Sequence, residues 1–180
     1  MFNNLKNYRP KWFKFKIIIV IALIVIGGAA IPNYFAVTTT PSLNKRIFFI
    51  VKSRQIEKLK KGDYVMFSLL KSKPEDDLPA KLVRMIKDEG EDSQIKKIGC
   101  VAGEELKNIG NEYYCKNKLI AKAKEYSLGG ERLKKFEFSG KIPEGEMFLV
   151  GDHVDSYDSR YFGFIKATDI IATLYPLLWI

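Results

Sequence analysis

Hydrophobic positions are grouped unevenly along this chain. Residues 17–37 read IIIVIALIVIGGAAIPNYFAV, without one charged side chain. As a single helix they would span about 31 Å, close to the hydrocarbon thickness of a bilayer. Beyond them the apolar runs are short. RIFFIVK (46–52), DYVMFSLL (63–70), IKKIGCV (95–101), residues 113–121, MFLVG (147–151) and residues 170–175 have the length and composition of strands. Turn signals separate them at Lys61-Gly62, Ala102-Gly103 and Lys116-Asn117, and the last of these suits a hairpin. Residues 73–90, with KPEDDLPAK, read as a solvated loop, with a helical turn at 79–86 as the alternative. The terminal IIATLYPLLWI is too short to span a membrane and contains Pro176, so it reads as a closing strand. The pattern predicts a mostly β fold. A basic tail (1–16) and one transmembrane helix (17–37) precede a compact extracytoplasmic domain (38–180).

Charge refines this picture. The chain of 180 residues carries a net charge of +9, and 47% hydrophobic content is enough for a core, which excludes wholesale disorder. Lys6, Arg9, Lys11, Lys14 and Lys16 fall in the first sixteen residues, and without those five the balance is +4. A basic cluster before an apolar span is a topology and anionic-lipid signal. It predicts a single-pass protein of the cytoplasmic membrane with its N-terminus inside, the lipid bilayer as a partner and no nucleic acid. A signal peptide cleaved near Gly28-Ala29-Ala30 is the alternative. Two cysteines and one histidine make a poor metal set. No metal or cofactor is expected, and any nucleophile has to come from Ser, Thr or Cys.

Ser42 lies in VTTTPSLN, just beyond the predicted outer membrane face. A serine hydroxyl needs a base, and a lysine serves only as the neutral amine, which burial favours. Lys96 and Lys97 sit on one apolar strand, where neighbours point to opposite faces, so one of them is directed inward. Taken alone, a loop serine and two solvated edge lysines are the ordinary reading. His153 could partner Asp152 or Asp155 in a triad, though a surface loop histidine is simpler. The strongest local signal is GDHVDSYDSRYFG at 151–163.

Together these segments resemble the S26 signal peptidase family, and within it the conjugative-transfer branch typified by TraF. TPSLNKRIF (40–48) resembles that branch's serine box N-x-T-x-S-x-P-x-G-L-Y, with Asn44 and Arg46 where the box has Pro and Gly. Gly62-Asp63 before an apolar strand resembles a second box. KKIGCVAGE (96–104) resembles the lysine box K-R-V-x-G-x-P-G-D, and 151–163 the final box G-D-N-x-x-x-S-x-D-S-R-Y-x-G. The resemblance covers residue 17 to the C-terminus in order, with a short insert around 104–140. It implies a serine endopeptidase in which Ser42 is the nucleophile and Lys96, chosen over Lys97 by register, is the general base. The Thr40 hydroxyl and the Ser42 backbone N–H would form the oxyanion hole, and Asp158 with Arg160 would brace the site. Cys100 and Cys115 could pair in an extracytoplasmic domain. The implied partner is a membrane-tethered precursor, pilin-like or bearing a signal peptide. A housekeeping-type signal peptidase and a non-catalytic membrane-anchored assembly module are the competing readings.

Overall fold

The computed structural model describes residues 34–38, 42–51, 58–90 and 92–179, with Ile19 and Gly28 besides. By internal packing the chain divides into Met1–Phe35 and Ala36–Ile180. Of the first unit, Ile19 and Gly28 are helical. The anchor expected over 17–37 and the basic tail lie almost wholly outside the described residues. Among those described, no helix is long and apolar enough to cross a membrane.

The second unit is mostly β, as its short apolar runs imply. Strands β1 (Phe35–Val37), β2 (Lys45–Val51), β3 (Tyr64–Ser68), β4 (Ser93–Val101), β9 (Glu146–Val150), β10 (Ile165–Lys166) and β11 (Ile170–Trp179) form one sheet in the order β1-β2-β11-β3-β4-β9-β10. The insert supplies a second sheet of β5 (Glu105–Ile109), β6 (Glu112–Cys115), β7 (Lys118–Lys122) and β8 (Ser139–Lys141), ordered β7-β6-β5-β8. The β6–β7 hairpin turns at Lys116 and Asn117, both at positive φ, a conformation that asparagine tolerates better than most residues. The closing strand spans nearly the whole terminal apolar run and continues through Pro176. That proline pairs only with Phe48 of β2, because β3 has already ended its pairing at Leu174↔Tyr64. The missing N–H therefore interrupts no ladder on that side.

Each face of the large sheet builds its own core. Val65, Phe67, Ile98 and Leu149 pack with Leu69, Leu78, Ile86 and Phe162 in one cluster. Cys100, Phe148 and Val150 pack with Leu106, Tyr113 and Cys115 of the insert in another. One expectation needs correction. Residues 73–90 are not a solvated loop: a single 3-10 turn (Glu75–Asp77) leads into the ten-residue helix α2 (Ala80–Glu89), after the short α1 (Leu69–Ser72). Pro79 presets the helical entry, Gly90 ends it at φ 67°, and Ile86 with Leu82 and Val83 reaches the first core. The dense charges of that stretch hid one apolar face.

Candidate active site

Strand β4 carries two adjacent lysines into unlike surroundings. Lys96 pairs with Val65 of β3 and is only 2% exposed. Desolvation lowers its pKa to about 8, against the opposing pull of Asp158 and with the help of Arg160. Lys97 points the other way, is one-third exposed and forms an ion pair with Asp152. Of the two, then, Lys96 is the one held in an environment that favours a neutral amine.

Gly151 is the hinge of the arrangement. β4 and β9 pair through Lys97↔Val150, so continuing the ladder by one step would set Gly151 opposite Lys96, on the same face of the sheet. A Cβ at Gly151 on that face would collide with Ser156 Oγ and lie 2.7 Å from the Ser42 carbonyl oxygen. Ser42 and Ser156 therefore both press on a residue that has no side chain to keep them away.

The turn bearing Ser42 is tied down on both sides. His153 N–H donates to Ser42 O at 3.2 Å, and Asn44 N–H donates to Asp152 Oδ2 at 3.3 Å. Leu43, 4% exposed, is buried with Phe48 and Leu174 beside it. Ser42 itself is half-buried. Thr40, expected in the oxyanion hole, lies outside the described residues.

Behind Gly151 stands an ion pair buried on both sides. Arg160 Nε and Nη2 donate to the two oxygens of Asp158 at 2.7 Å each, and Gly151 N–H donates to Asp158 Oδ2 at 2.7 Å. Asp158 also caps the short helix α3 (Ser159–Phe162) by accepting from Arg160 N. The remaining guanidinium protons reach the carbonyls of Ser156 at 2.8 Å, His153 at 3.2 Å, Val154 at 3.3 Å and Lys122. One side chain thus stitches the whole 151–158 loop to β7. The imidazole of His153 is exposed and its Nδ1 accepts from Asp155 N–H, while its backbone N–H is what holds the Ser42 carbonyl.

Two residues escaped the sequence reading. Ser156 Oγ is buried without a hydrogen-bond partner among the described residues. It was hidden because its place depends on the loop folding back over Gly151. Lys45, three residues past Ser42, is also buried, at 7% exposure. Cys100 and Cys115 form a disulfide. With Glu104 they bring three donor atoms within 4.8 Å, but both sulfurs are already consumed by that bond.

A free edge adjoins the site. β3 flanks β4 from Ser93 to Lys97, whereas β9 covers its other edge only from Lys97 onward. Among the described residues, no strand pairs with residues 93–96 on that second side. An extended peptide laid there would end against Gly151.

The chain has relatives among known proteins. The chain belongs to the signal peptidase, peptidase S26 family, whose model matches residues 9–179. Signal peptidase I V of Bacillus subtilis (strain 168) is 30% identical over 91 residues, covering 44% of this chain and 54% of that protein. The chain thus spans about half the length of that relative. A signal peptidase I from Enterococcus faecalis V583 aligns over 66% of this chain and 97% of its own, with 19% identity and a TM-score of 0.40.

Proposed function

We propose that this protein is a serine endopeptidase with a Ser42–Lys96 dyad that cuts membrane-tethered precursors at the outer face of the cytoplasmic membrane. The observation that carries the reading is Lys96, buried to 2% exposure one residue before Lys97, whose partner Val150 precedes the Gly151 over which the Ser42 turn lies. A lysine in that position holds a neutral amine far more readily than a solvated one.

The chemistry follows from these groups. The substrate lies extended along the free edge of β4 at residues 93–96, an edge-strand mode of binding. Ser42 Oγ attacks the scissile carbonyl while Lys96 Nζ accepts the hydroxyl proton. The resulting oxyanion is stabilised by the Ser42 N–H and the Thr40 hydroxyl, a kind of donor whose removal typically lowers rate by roughly 100-fold or more. When the C–N bond breaks, the Lys96 ammonium returns its proton to the leaving amine and an acyl-Ser42 ester remains. Water, deprotonated by neutral Lys96, then releases the acid. Asp158 and Arg160 act through position, by holding the 151–158 loop against β4.

The anchor at 17–37 would keep Ser42 near the membrane surface, which suits precursors that are themselves tethered. The threonine two residues before the serine and the short insert favour a conjugative-transfer enzyme that processes a pilin-like precursor over a general signal peptidase. The test is the intact mass of a pilin-like precursor co-expressed with the wild type or with Ser42→Ala. Ser42-dependent loss of a peptide supports the reading, and a further loss of one water would indicate a cyclic product. Ser42-dependent cleavage confined to ordinary signal-peptide precursors would favour the general enzyme. Masses that do not depend on Ser42 for either class would overturn the peptidase.

A further inference from the structure

The free edge of β4 is short, and that constrains the part of a substrate lying beyond the scissile bond. β9 occupies the edge from Lys97 onward, so a peptide docked at 93–96 cannot continue straight past Gly151. It has to turn out of the sheet there. Gly151 also lines a cleft of about 300 Å³ between the 151–154 loop and strand β7, walled by Ile120, Ala121, Lys122, His153 and Val154. His153, in that wall, is the residue whose N–H holds the Ser42 carbonyl.

Resting on the peptidase reading above, we propose that this cleft receives the leaving half of the substrate, so that β7 of the insert reads the first residues after the cut. The acyl half stays esterified to Ser42 and is held by the β4 edge; the leaving half needs an exit open to solvent, and the cleft provides one. Its chemistry predicts a preference. Ile120, Ala121 and Val154 offer a small apolar wall. Of the cations there, Lys97 is paired with Asp152 and Arg160 with Asp158 inside the protein. Lys122 is the accessible charge, with 60% of its side chain exposed and paired with the surface residue Glu112. Such exposed pairs are weak and yield to a competing carboxylate. An acidic residue shortly after the cut is therefore favoured over a basic one.

The test compares precursors that are identical up to the cut and carry Glu or Lys at the second and third positions beyond it. The full-length membrane protein should cleave the Glu form with kcat/KM about fivefold above the Lys form, the size expected of one exposed charge pair. Lys122→Glu should invert that ratio. Leu119→Glu, on the same strand but outside the cleft wall, should leave it as in the wild type. Because the readout is a ratio within one enzyme, a general loss of activity does not mimic it. Ser42-dependent cleavage with a ratio that Lys122→Glu does not change, or that Leu119→Glu changes equally, would sink this assignment alone. The absence of any Ser42-dependent cleavage would remove the peptidase reading along with it.

Discussion

Gly151 and Ser42 approach so closely that a single methyl group would not fit between them: a Cβ on Gly151 would lie 2.7 Å from the Ser42 carbonyl oxygen. The glycine is needed here for space and not for an unusual dihedral, since it is absent from the positive-φ positions. The serine turn and the 151–158 loop come from segments far apart in sequence, and this missing side chain lets them meet.

Gly151→Ala should therefore fold but displace the Ser42 turn by the better part of an ångström. Displacements of that size lower rates by on the order of 100-fold. The comparison to make is kcat/KM against the denaturation midpoint. A variant with wild-type activity would show that the close approach is not needed for the chemistry.

Lys96 should leave two marks on pH dependence. As a base it works only when neutral, so kcat/KM should rise with pH through about 8. Its folded pKa lies below the 10.5 of an unfolded chain, so between these values the unfolded state binds the extra proton and stability rises with pH. Below about 8 the burial penalty is fully present, up to about 3 kcal/mol. Lys96→Met should be inactive yet more stable at pH 7, and urea titrations at pH 7 and 10 should show its pH-dependent gain abolished. A destabilised Lys96→Met would mean the amine is held by favourable contacts instead.

The neighbouring lysine should behave differently. Lys97→Ala removes a partly exposed pair with Asp152, a loss of about 1 kcal/mol or less. Activity should stay within about tenfold of wild type, because Asn44 N–H still reaches Asp152. If Lys97→Ala abolished activity while Lys96→Ala kept it, the assignment of the base would have to be exchanged.

Much of this was legible in the residues, for reasons that differ between elements. β4 was visible because Ile95, Ile98 and Val101 stand out between turn signals, and alternation alone shows that Lys96 and Lys97 face opposite ways. It does not show which faces inward; that depends on the flanking strands, where Val65 pairs with Lys96 and Val150 with Lys97. The insert's hairpin announced itself at Lys116-Asn117. Helix α2 showed only as a turn at 79–86 inside a loop, because its apolar face is Leu82, Val83 and Ile86 amid charged residues. Ser156 looked like any loop serine until the Arg160 guanidinium drew its carbonyl in and turned its hydroxyl over Gly151. Tyr113 likewise read as one apolar strand residue, yet its hydroxyl lies 2.7 Å from Phe136 O and 3.0 Å from Arg160 O, joining insert to site.

The Asp158–Arg160 pair should dominate stability more than chemistry. Both side chains are buried, at 0% and 2% exposure, and the guanidinium holds both carboxylate oxygens. Removing one partner strands the other's charge, which typically costs about 3–5 kcal/mol. Asp158→Asn and Arg160→Ala should each lower the unfolding free energy by that much, read from urea titrations. Arg160→Lys should fare little better, since an ammonium cannot form the fork. If Arg160→Lys came within about 1 kcal/mol of wild type, the five-donor geometry would not be what organises the loop.

The disulfide offers the last test. Cys100 belongs to β4, four residues past Lys96, and Cys115 ends β6, so the bond ties the lysine strand to the insert. The cysteines are fifteen residues apart, and closing a loop of that length stabilises by about 3 kcal/mol. The paired change Cys100→Ala with Cys115→Ala should lower stability by roughly that amount. Both residues are fully buried, so reductant should have no access to the bond in the folded protein. Alkylation after reduction should accordingly label both thiols in urea and neither in native buffer, a difference of two adducts by mass. Rapid labelling without denaturant would show instead that the insert opens away from β4 on its own, and the brace on Lys96 would then have to come from Asp158 and Arg160 alone.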